Sequence, residues 1–140
     1  MGSSNVSAIQ GAHDAFNNRD WDAMSAIMAD DCNWIDGRGQ RYDGPDAFAH
    51  DYSKAWADAF SDGEITEAEY YDAGDTVVAE FVGRGTNDGP LGPMPATGKH
   101  VDLPYVEIYR FNAEGKVSSG RAYFDQLGLL VQLGHAEVPA

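Results

Sequence analysis

The chain has 140 residues and a formal net charge of −14 at pH 7, from nine lysines and arginines against 23 aspartates and glutamates. Its length predicts a single domain over residues 1–140, and its 43% of hydrophobic residues is too high for a disordered polymer. The negative charge argues against nucleic acid or an anionic membrane as a partner, because both would repel such a surface.

Cysteine content and the amino-terminal sequence bear on localisation. The one cysteine, Cys32, cannot form an intrachain disulfide, so nothing requires an oxidising compartment. No apolar run approaches the roughly 18–20 residues of a membrane span. The first ten residues lack the basic start and apolar core of a secretory signal. We therefore expect a cytoplasmic protein.

The first half of the chain has helical spacing. Apolar residues recur every three or four positions over 5–17, which predicts an amphipathic helix. Asp20 is placed to cap a second helix, whose apolar stripe runs to residue 28. A Gly-Pro-Asp sequence opens a third helix over 44–60. Between the last two, residues 32–36 predict a short strand followed by a glycine-rich turn.

The second half has the composition of strands. Segments rich in β-branched and aromatic residues predict four strands, at 65–73, 76–86, 99–112 and 116–124. Residues 87–98 are rich in proline and glycine, which predicts a loop at the rim of the structure. Helical spacing returns over 125–134. This order indicates an α+β fold, with helices packed on one face of a curved, mostly antiparallel sheet.

The long loop and the strand after it carry a resemblance to a known family. Residues 85–111 read GTNDGPLGPMPATGKHVDLPYVEIYRF, which resembles the SnoaL-like polyketide cyclase family, as does the ending at 123–134. The resemblance implies a cone-shaped nuclear transport factor 2-like fold. It also implies a cofactor-independent enzyme whose substrate is an apolar molecule of cyclic or polyketide-like type.

Ketosteroid isomerase resembles the chain at single positions. Residues 17–36 follow its pattern without gaps and place Asp36 where that family keeps its general base. Residues 110–124 extend the resemblance and place Glu107 where the isomerase holds a protonated, hydrogen-bond-donating acid. The tyrosine on the isomerase's first helix falls near Ala12. The resemblance therefore implies an incomplete oxyanion site.

Limonene-epoxide hydrolase resembles the chain at residues 121–125, where its water-activating aspartate matches Asp125. The arginine that orients the catalytic acid of that family is missing, because Tyr105 stands in its place. Epoxide hydrolysis is therefore an alternative that this departure weakens.

Glu107 stands out from the residues alone. Side chains of a strand alternate between faces, so Glu107 shares its face with Val101, Leu103, Tyr105, Tyr109 and Phe111. A buried, charged acid in such a row is costly, so it must pair, become protonated or reach water. The structural alternative places Glu107 at the surface or a dimer contact, paired with an arginine at position 84, 110 or 121.

Three carboxylates form the predicted catalytic set. Asp125 is the first choice for the base, Glu107 for the acid or oxyanion stabiliser, and Asp36 for a second base or a group that holds water. Two acids in different environments can act as a general acid–base pair without metal or cofactor. Asp36 and Asp125 also have structural alternatives, as a turn residue before a glycine and as the cap of the last helix.

Aromatic residues from different elements predict a pocket for a flat apolar substrate. They are Trp34, Tyr52, Trp56, Phe81, Tyr105 and Phe124, with His100 at the mouth. His13 lies on the apolar side of the first helix and is interpreted as a packed core histidine. No histidine or cysteine pair has metal-ligand spacing, so neither a metal nor a cofactor is expected.

Together these features predict acid–base chemistry next to a carbonyl, as in a polyketide-type cyclase or an isomerase. A non-catalytic module that binds a small ligand and an epoxide hydrolase stay open as alternatives. Val106 and Ile108, expected on the outer sheet face beside Ala122 and Phe124, favour a homodimer.

Overall fold

A computed structural model describes residues 2–139. The predicted domain, residues 1–140, extends one position further at each end, to residues that lie outside the described range. The α-helices are α1 (Gly2–Asn17), α2 (Trp21–Ala26), α3 (Lys54–Ala59) and α4 (Gln126–Leu133). The strands are β1 (Met28–Ile35), β2 (Arg41–Asp43), β3 (Glu64–Asp72), β4 (Thr76–Thr86), β5 (His100–Phe111) and β6 (Val117–Phe124). No helix within residues 2–139 is long and apolar enough to cross a membrane.

The strands form one sheet in the order β2-β1-β6-β5-β4-β3. Strands β3 to β6 make the predicted antiparallel meander, and β1 joins it through a parallel pairing with β6. The α+β prediction is confirmed. The short strand β2 was not predicted, because its three residues follow a glycine-rich turn and carry no pattern of their own.

The predicted third helix has two parts. A π-helical segment, Ala47–Ser53, runs directly into α3. The hydroxyl of Ser53 donates to the carbonyl of Phe48, five residues earlier, at 2.9 Å. Within this widened segment Phe48 and Tyr52 are both buried and their rings stack. The segment therefore directs Tyr52 toward the interior of the fold.

The core lies between the helices and the inner face of the sheet. Helix α1 packs on β3 and β4, and α4 packs on β5. Alternate residues of β5, from Val101 to Phe111, are buried as predicted. Trp34 of β1 is fully buried against Gly120 of β6, where a Cβ atom would overlap the indole ring. Glycine at this position therefore lets the largest core side chain lie flat on the sheet.

The outer face of β5 has different neighbours from those predicted. The antiparallel register places Ala122 opposite Glu107 and Phe124 opposite Tyr105, so both belong to the inner face. Opposite Val106 stands Tyr123, which is half-exposed. The expected neighbours were wrong because the pairing register between two strands is not visible in either strand alone. The homodimer itself stays a prediction.

The predicted loop over 87–98 is confirmed, and Asn87 fixes it to the end of α3. The Asn87 side chain is buried, and its amide donates to the carbonyls of Ala59 at 3.1 Å and Gly89 at 2.9 Å. Its side-chain oxygen accepts from the Thr97 N–H at 2.8 Å. These bonds hold the two ends of the loop together beside the helix.

Candidate active site

Glu107 lies at the centre of a buried hydrogen-bond network. The residue is 6% exposed and lies on the inner face of β5. The oxygen Oε1 lies 2.8 Å from His13 Nε2 and accepts a hydrogen bond from the Tyr109 hydroxyl at 2.7 Å. On its other side, His13 Nδ1 lies 2.7 Å from the Tyr70 hydroxyl. With the proton of a neutral imidazole on Nε2, His13 donates to Glu107 and accepts from Tyr70, so every contact is satisfied.

The packing of α1 on the sheet brings His13 to Glu107. The imidazole lies edge-on to the ring of Phe81, with centroids 5.0 Å apart, and 5.4 Å from the ring of Tyr70. His13 is buried, as predicted, but its bonds to Glu107 and Tyr70 were not. The alternative in which Glu107 lies at the surface and pairs with an arginine is wrong, because its face of β5 points inward.

The second carboxylate oxygen of Glu107, Oε2, has no hydrogen-bond partner among residues 2–139. Glu107 lines an internal cavity, and Oε2 is not among the atoms that are both buried and unpartnered. It therefore faces the cavity. One oxygen of the carboxylate is held by the protein, and the other is free to receive a hydrogen bond or a proton from a ligand.

The cavity is partly open, and the space between its atoms is about 680 Å³ with open solvent included. Four of the predicted pocket residues line it: Tyr52, Trp56, Phe81 and Tyr105. Further apolar walls come from Phe16, Phe60, Ile65, Leu103 and Leu129. The polar surface that reaches this space is small; His13 and Glu107 lie at one end, and Glu64 and Arg84 line the other. Such a site favours an apolar ligand with one or two polar atoms.

Two buried tyrosine hydroxyls, those of Tyr52 and Tyr105, are hydrogen-bonded to each other in the wall of the cavity. Burial raises the pKa of Tyr52 well above its usual 10, and the neighbouring hydroxyl and Glu107 raise that pKa further. Burial also raises the pKa of Tyr105, and the negative charge of Glu107 raises it further. Both groups therefore stay protonated at neutral pH. One hydroxyl donates to the other, which leaves one proton available for a ligand oxygen.

Asp36 lies in a separate, open groove on the outside of the cavity wall. Its carboxylate accepts from the Arg38 side chain at 2.9 Å and from the Tyr42 hydroxyl at 3.0 Å. The backbone N–H groups of Arg38 and Gln40 donate to its other oxygen, at 2.9 and 3.0 Å. Burial raises the pKa of Asp36, but these hydrogen bonds outweigh burial and lower the pKa below its usual value. The arrangement stabilises the carboxylate and supports the turn before β2.

The cavity and the outer groove share walls. Tyr52, Trp56 and Leu129 line both. Phe124, another predicted pocket residue, lines only the groove and stacks on Tyr105, with ring centroids 5.2 Å apart. The structure therefore places Asp36 and Glu107 on opposite sides of an aromatic partition rather than in one site.

Asp125 lies outside both spaces. It is exposed, and its carboxylate caps α4 by accepting from the Gly128 N–H at 2.9 Å. This is the structural alternative that the sequence offered for Asp125. The structure does not bring Asp125 to Glu107.

Two predicted pocket residues line neither the cavity nor the outer groove. His100 is exposed and is paired with Asp102 at 3.2 Å. The ring of Trp34 packs against two cavity-lining tyrosines, with centroids 5.4 Å from Tyr52 and 5.0 Å from Tyr109. No group of three or more histidine, cysteine, aspartate or glutamate side chains that could hold a metal ion occurs in the described part of the chain.

The sequence profile of the SnoaL-like polyketide cyclases matches residues 7–133, which include His13, Glu107 and the walls of the cavity. The chain belongs to the SnoaL-like polyketide cyclase family. The predicted family is thereby confirmed. Its long loop and β5, which carried the resemblance, lie within the matched range.

Known proteins similar to this SnoaL-like chain include the aklanonic acid methyl ester cyclase DnrD of Streptomyces peucetius. It is 36% identical over 93 residues, which cover 65% of this chain and 62% of that relative's length. A SnoaL-like protein from Jannaschia sp. CCS1, provisionally assigned as a polyketide cyclase, superposes with a TM-score of 0.85 at 24% identity over 96% of this chain and 94% of its own.

A third comparison bears on the fold alone. A protein of ketosteroid isomerase-like fold from Catenulispora acidiphila superposes with a TM-score of 0.76 at 19% identity, over 94% of this chain and 97% of its own. The nuclear transport factor 2-like fold is thus confirmed.

His13 is the main site residue of this SnoaL-like chain that the sequence interpretation missed. The ketosteroid isomerase resemblance aligned the first-helix tyrosine near Ala12, which is buried and carries no polar group. The next residue supplies the polar side chain instead. One signal in the sequence could have found it. His13 is a polar residue on an apolar helix face and Glu107 is a lone acid in an apolar strand, and two such buried groups can satisfy each other's hydrogen bonds.

Proposed function

We propose that this SnoaL-like protein is a cofactor-independent enzyme that moves a proton at the carbon next to a carbonyl group of an apolar small molecule. A polyketide-type cyclase and an isomerase both use such a step. The observation that carries the proposal is the free oxygen Oε2 of Glu107, which faces the apolar cavity while Oε1 is held by His13 and Tyr109.

In the proposed reaction, Glu107 Oε2 takes the proton from the carbon next to the carbonyl. The electron pair of the broken C–H bond forms the enolate, whose oxygen accepts a hydrogen bond from the pair Tyr52 and Tyr105. In an isomerase, protonated Glu107 returns the proton to a different carbon. In a cyclase, the enolate carbon attacks a second carbonyl carbon, and the proton goes to the oxygen of the new alcohol.

His13 is proposed as a positioning residue for Glu107. Its hydrogen bond and that of Tyr109 both go to Oε1, which fixes the plane of the carboxylate and leaves Oε2 directed to the ligand. A fixed base saves the cost of orienting the catalytic group during the reaction.

The proposed substrate is an uncharged or weakly polar molecule of cyclic or polyketide-like type. The apolar lining supports this class. So does the curated relative, whose name gives aklanonic acid methyl ester as the molecule that it cyclises. No observation favours epoxide hydrolysis, because Asp125, the residue matched to the water-activating aspartate, caps α4 away from the cavity.

Solvent deuterium exchange tests the proposal without knowledge of the natural substrate. Propiophenone, a flat apolar ketone, is incubated with the protein in deuterium oxide, and NMR follows the loss of the protons next to its carbonyl. We expect Glu107→Gln to lower the protein-dependent rate at least about 100-fold. The matched control is Glu114→Gln, since Glu114 is exposed in the turn between β5 and β6.

Ligand binding is measured in the same samples through quenching of tryptophan fluorescence, because Trp56 lines the cavity. Binding of the ketone by the unmodified protein without any exchange would contradict the enzyme and favour the ligand-binding module. Equal exchange by Glu107→Gln and the unmodified protein would remove Glu107 from the reaction.

A further inference from the structure

Gly83 of β4 leaves a gap in the wall of the cavity. The inner face of β4 carries the buried residues Val77, Ala79 and Phe81, and Gly83 is the next position on that face. It lines the cavity. A Cβ atom built there would meet only the carbonyl oxygen of Leu103, at 3.9 Å, and the φ angle is outside the left-handed region. Neither the backbone nor the packing requires glycine at this position.

Gly85, two residues later on the same face, shows the opposite case. A Cβ atom there would lie 3.0 Å from Asp62 Oδ1 and 3.1 Å from both the Gly63 Cα and the Phe60 Cβ. A side chain at 85 would therefore push its neighbours aside by a few tenths of an ångström, whereas one at 83 would meet only an ordinary contact. Glycine inside a strand loses stability relative to residues with a side chain, and unfilled space in a core is also costly. The space at Gly83 is thus not explained by the fold.

The gap lies at the far end of the cavity from Glu107. In the register of β4 with β5, Glu107 pairs with Ala79 and Leu103 pairs with Gly83. Four residues of a strand span about 13 Å. Beyond Gly83 the lining reaches Arg84, which is partly exposed. The cavity wall therefore runs about 13 Å along the strands, from the level of Glu107 to the level of Gly83.

We propose that Gly83 is a specificity-determining residue that admits the far end of an elongated apolar substrate whose carbonyl lies at Glu107. Phe60, Ile65 and Leu103 supply apolar walls near the gap, and Glu64 and Arg84 also line this end of the cavity. Arg84 already donates to Glu67 and Asp102, so its charge is compensated, and the negative charge of Glu64 disfavours an anionic end group. The inference rests on the proposed function for the position of the carbonyl.

A series of alkyl phenyl ketones, from acetophenone to decanophenone, measures the length that the cavity accepts. Dissociation constants come from quenching of tryptophan fluorescence. In the unmodified protein we expect the affinity to rise by up to about fourfold for each added methylene until the chain reaches the surface. In Gly83→Val the rise stops about three methylenes earlier, because the valine side chain occupies that space.

The control is Val82→Ile, which enlarges a side chain on the other face of the same strand. It keeps the chain-length limit of the unmodified protein. Thermal unfolding accompanies each variant: Gly83→Val keeps or raises Tm, whereas Gly85→Ala lowers it. These measurements show that a change in the limit does not come from unfolding.

An unchanged chain-length limit in Gly83→Val overturns the inference, as does an unmodified protein that binds no ketone of the series or binds all of them equally. The proposed function fails separately, through the exchange measurement on propiophenone. If the unmodified protein shows the chain-length limit but no exchange, the role of Gly83 in ligand binding is supported and the proposed enzymatic step is contradicted.

Discussion

His13 and Glu107 are 94 residues apart in the chain and are joined by a hydrogen bond of 2.8 Å in the interior. The bond links α1 to β5 and holds one oxygen of the carboxylate. Its loss in His13→Ala leaves Glu107 with a single donor, Tyr109. We expect this variant to lower the exchange rate about 10- to 100-fold with a smaller effect on ketone affinity, and to lower the free energy of unfolding by about 1–3 kcal/mol.

The conservative variant His13→Gln distinguishes positioning from a purely structural contribution. Its amide can donate to Glu107, so we expect it to recover part of the exchange rate. A positioning role requires that the loss in His13→Ala and the recovery in His13→Gln appear in the exchange rate at saturating ketone rather than in the ketone affinity. Equal exchange rates at saturating ketone in His13→Ala, His13→Gln and the unmodified protein, with only the stability changed, would show that His13 contributes only to folding.

Tyr105→Phe removes one hydroxyl of the buried tyrosine pair while keeping the ring. We expect exchange to fall by about 10-fold, because the Tyr52 hydroxyl remains but loses the partner that holds it in place. With Tyr52→Phe added, an enolate oxygen has no tyrosine donor, and we expect exchange to fall by about 100-fold or more. The free energy of unfolding should change by only about 1 kcal/mol in Tyr105→Phe. Tyr71→Phe is the control, since Tyr71 is half-exposed and its hydroxyl contacts Glu69 and Glu80 instead. Full exchange by the double variant would remove the tyrosine pair from the mechanism.

A variant of Asp125 distinguishes two assignments of the general base: Asp125, predicted from the sequence, and Glu107, proposed from the structure. Asparagine caps helices about as well as aspartate, so Asp125→Asn should keep both the exchange rate and the stability. Asp125→Ala should lower the free energy of unfolding by about 1 kcal/mol, through loss of the bond to the Gly128 N–H, and leave exchange intact. A large loss of exchange in Asp125→Asn would restore Asp125 as the base and displace Glu107.

Features that depend on local pattern could be predicted from the sequence. The alternation along β5 placed Glu107 among buried apolar residues, and the structure has it there. The capping position of Asp125 and the turn position of Asp36 were also readable, because each acid bonds to N–H groups within four residues of itself. Short-range hydrogen bonds of this kind leave a signal in the sequence.

The partner of Glu107 could not be predicted, because it depends on how α1 docks on the sheet. A helix with several apolar positions can pack at more than one rotation, and the direction of His13 changes with that rotation. The cavity depends on volume that is left unfilled, such as the space at Gly83. Composition and periodicity indicate which residues are buried, but they do not indicate where the packing of buried side chains leaves an unfilled cavity.

The hydrogen bonds of Asp36 predict that part of the free energy of unfolding depends on pH in the acidic range. Its pKa is lower in the folded protein than the usual 3.8, so the charged form stabilises the fold above about pH 4 and this contribution is lost as the pH falls through the lowered folded value. We expect Asp36→Asn to lower the free energy of unfolding at pH 7 by about 1–3 kcal/mol, because Arg38 and Tyr42 lose a charged acceptor. Below about pH 4 the difference from the unmodified protein should shrink.

Urea unfolding at several values between pH 7 and pH 3 measures this dependence. Asp43→Asn is the control, because Asp43 is largely exposed and its pair with Arg41 contributes at most about 0.5 kcal/mol. The control should follow the unmodified protein across the range. If the stability of Asp36→Asn instead runs parallel to that of the unmodified protein down to pH 3, then the hydrogen bonds at Asp36 do not favour its charged form.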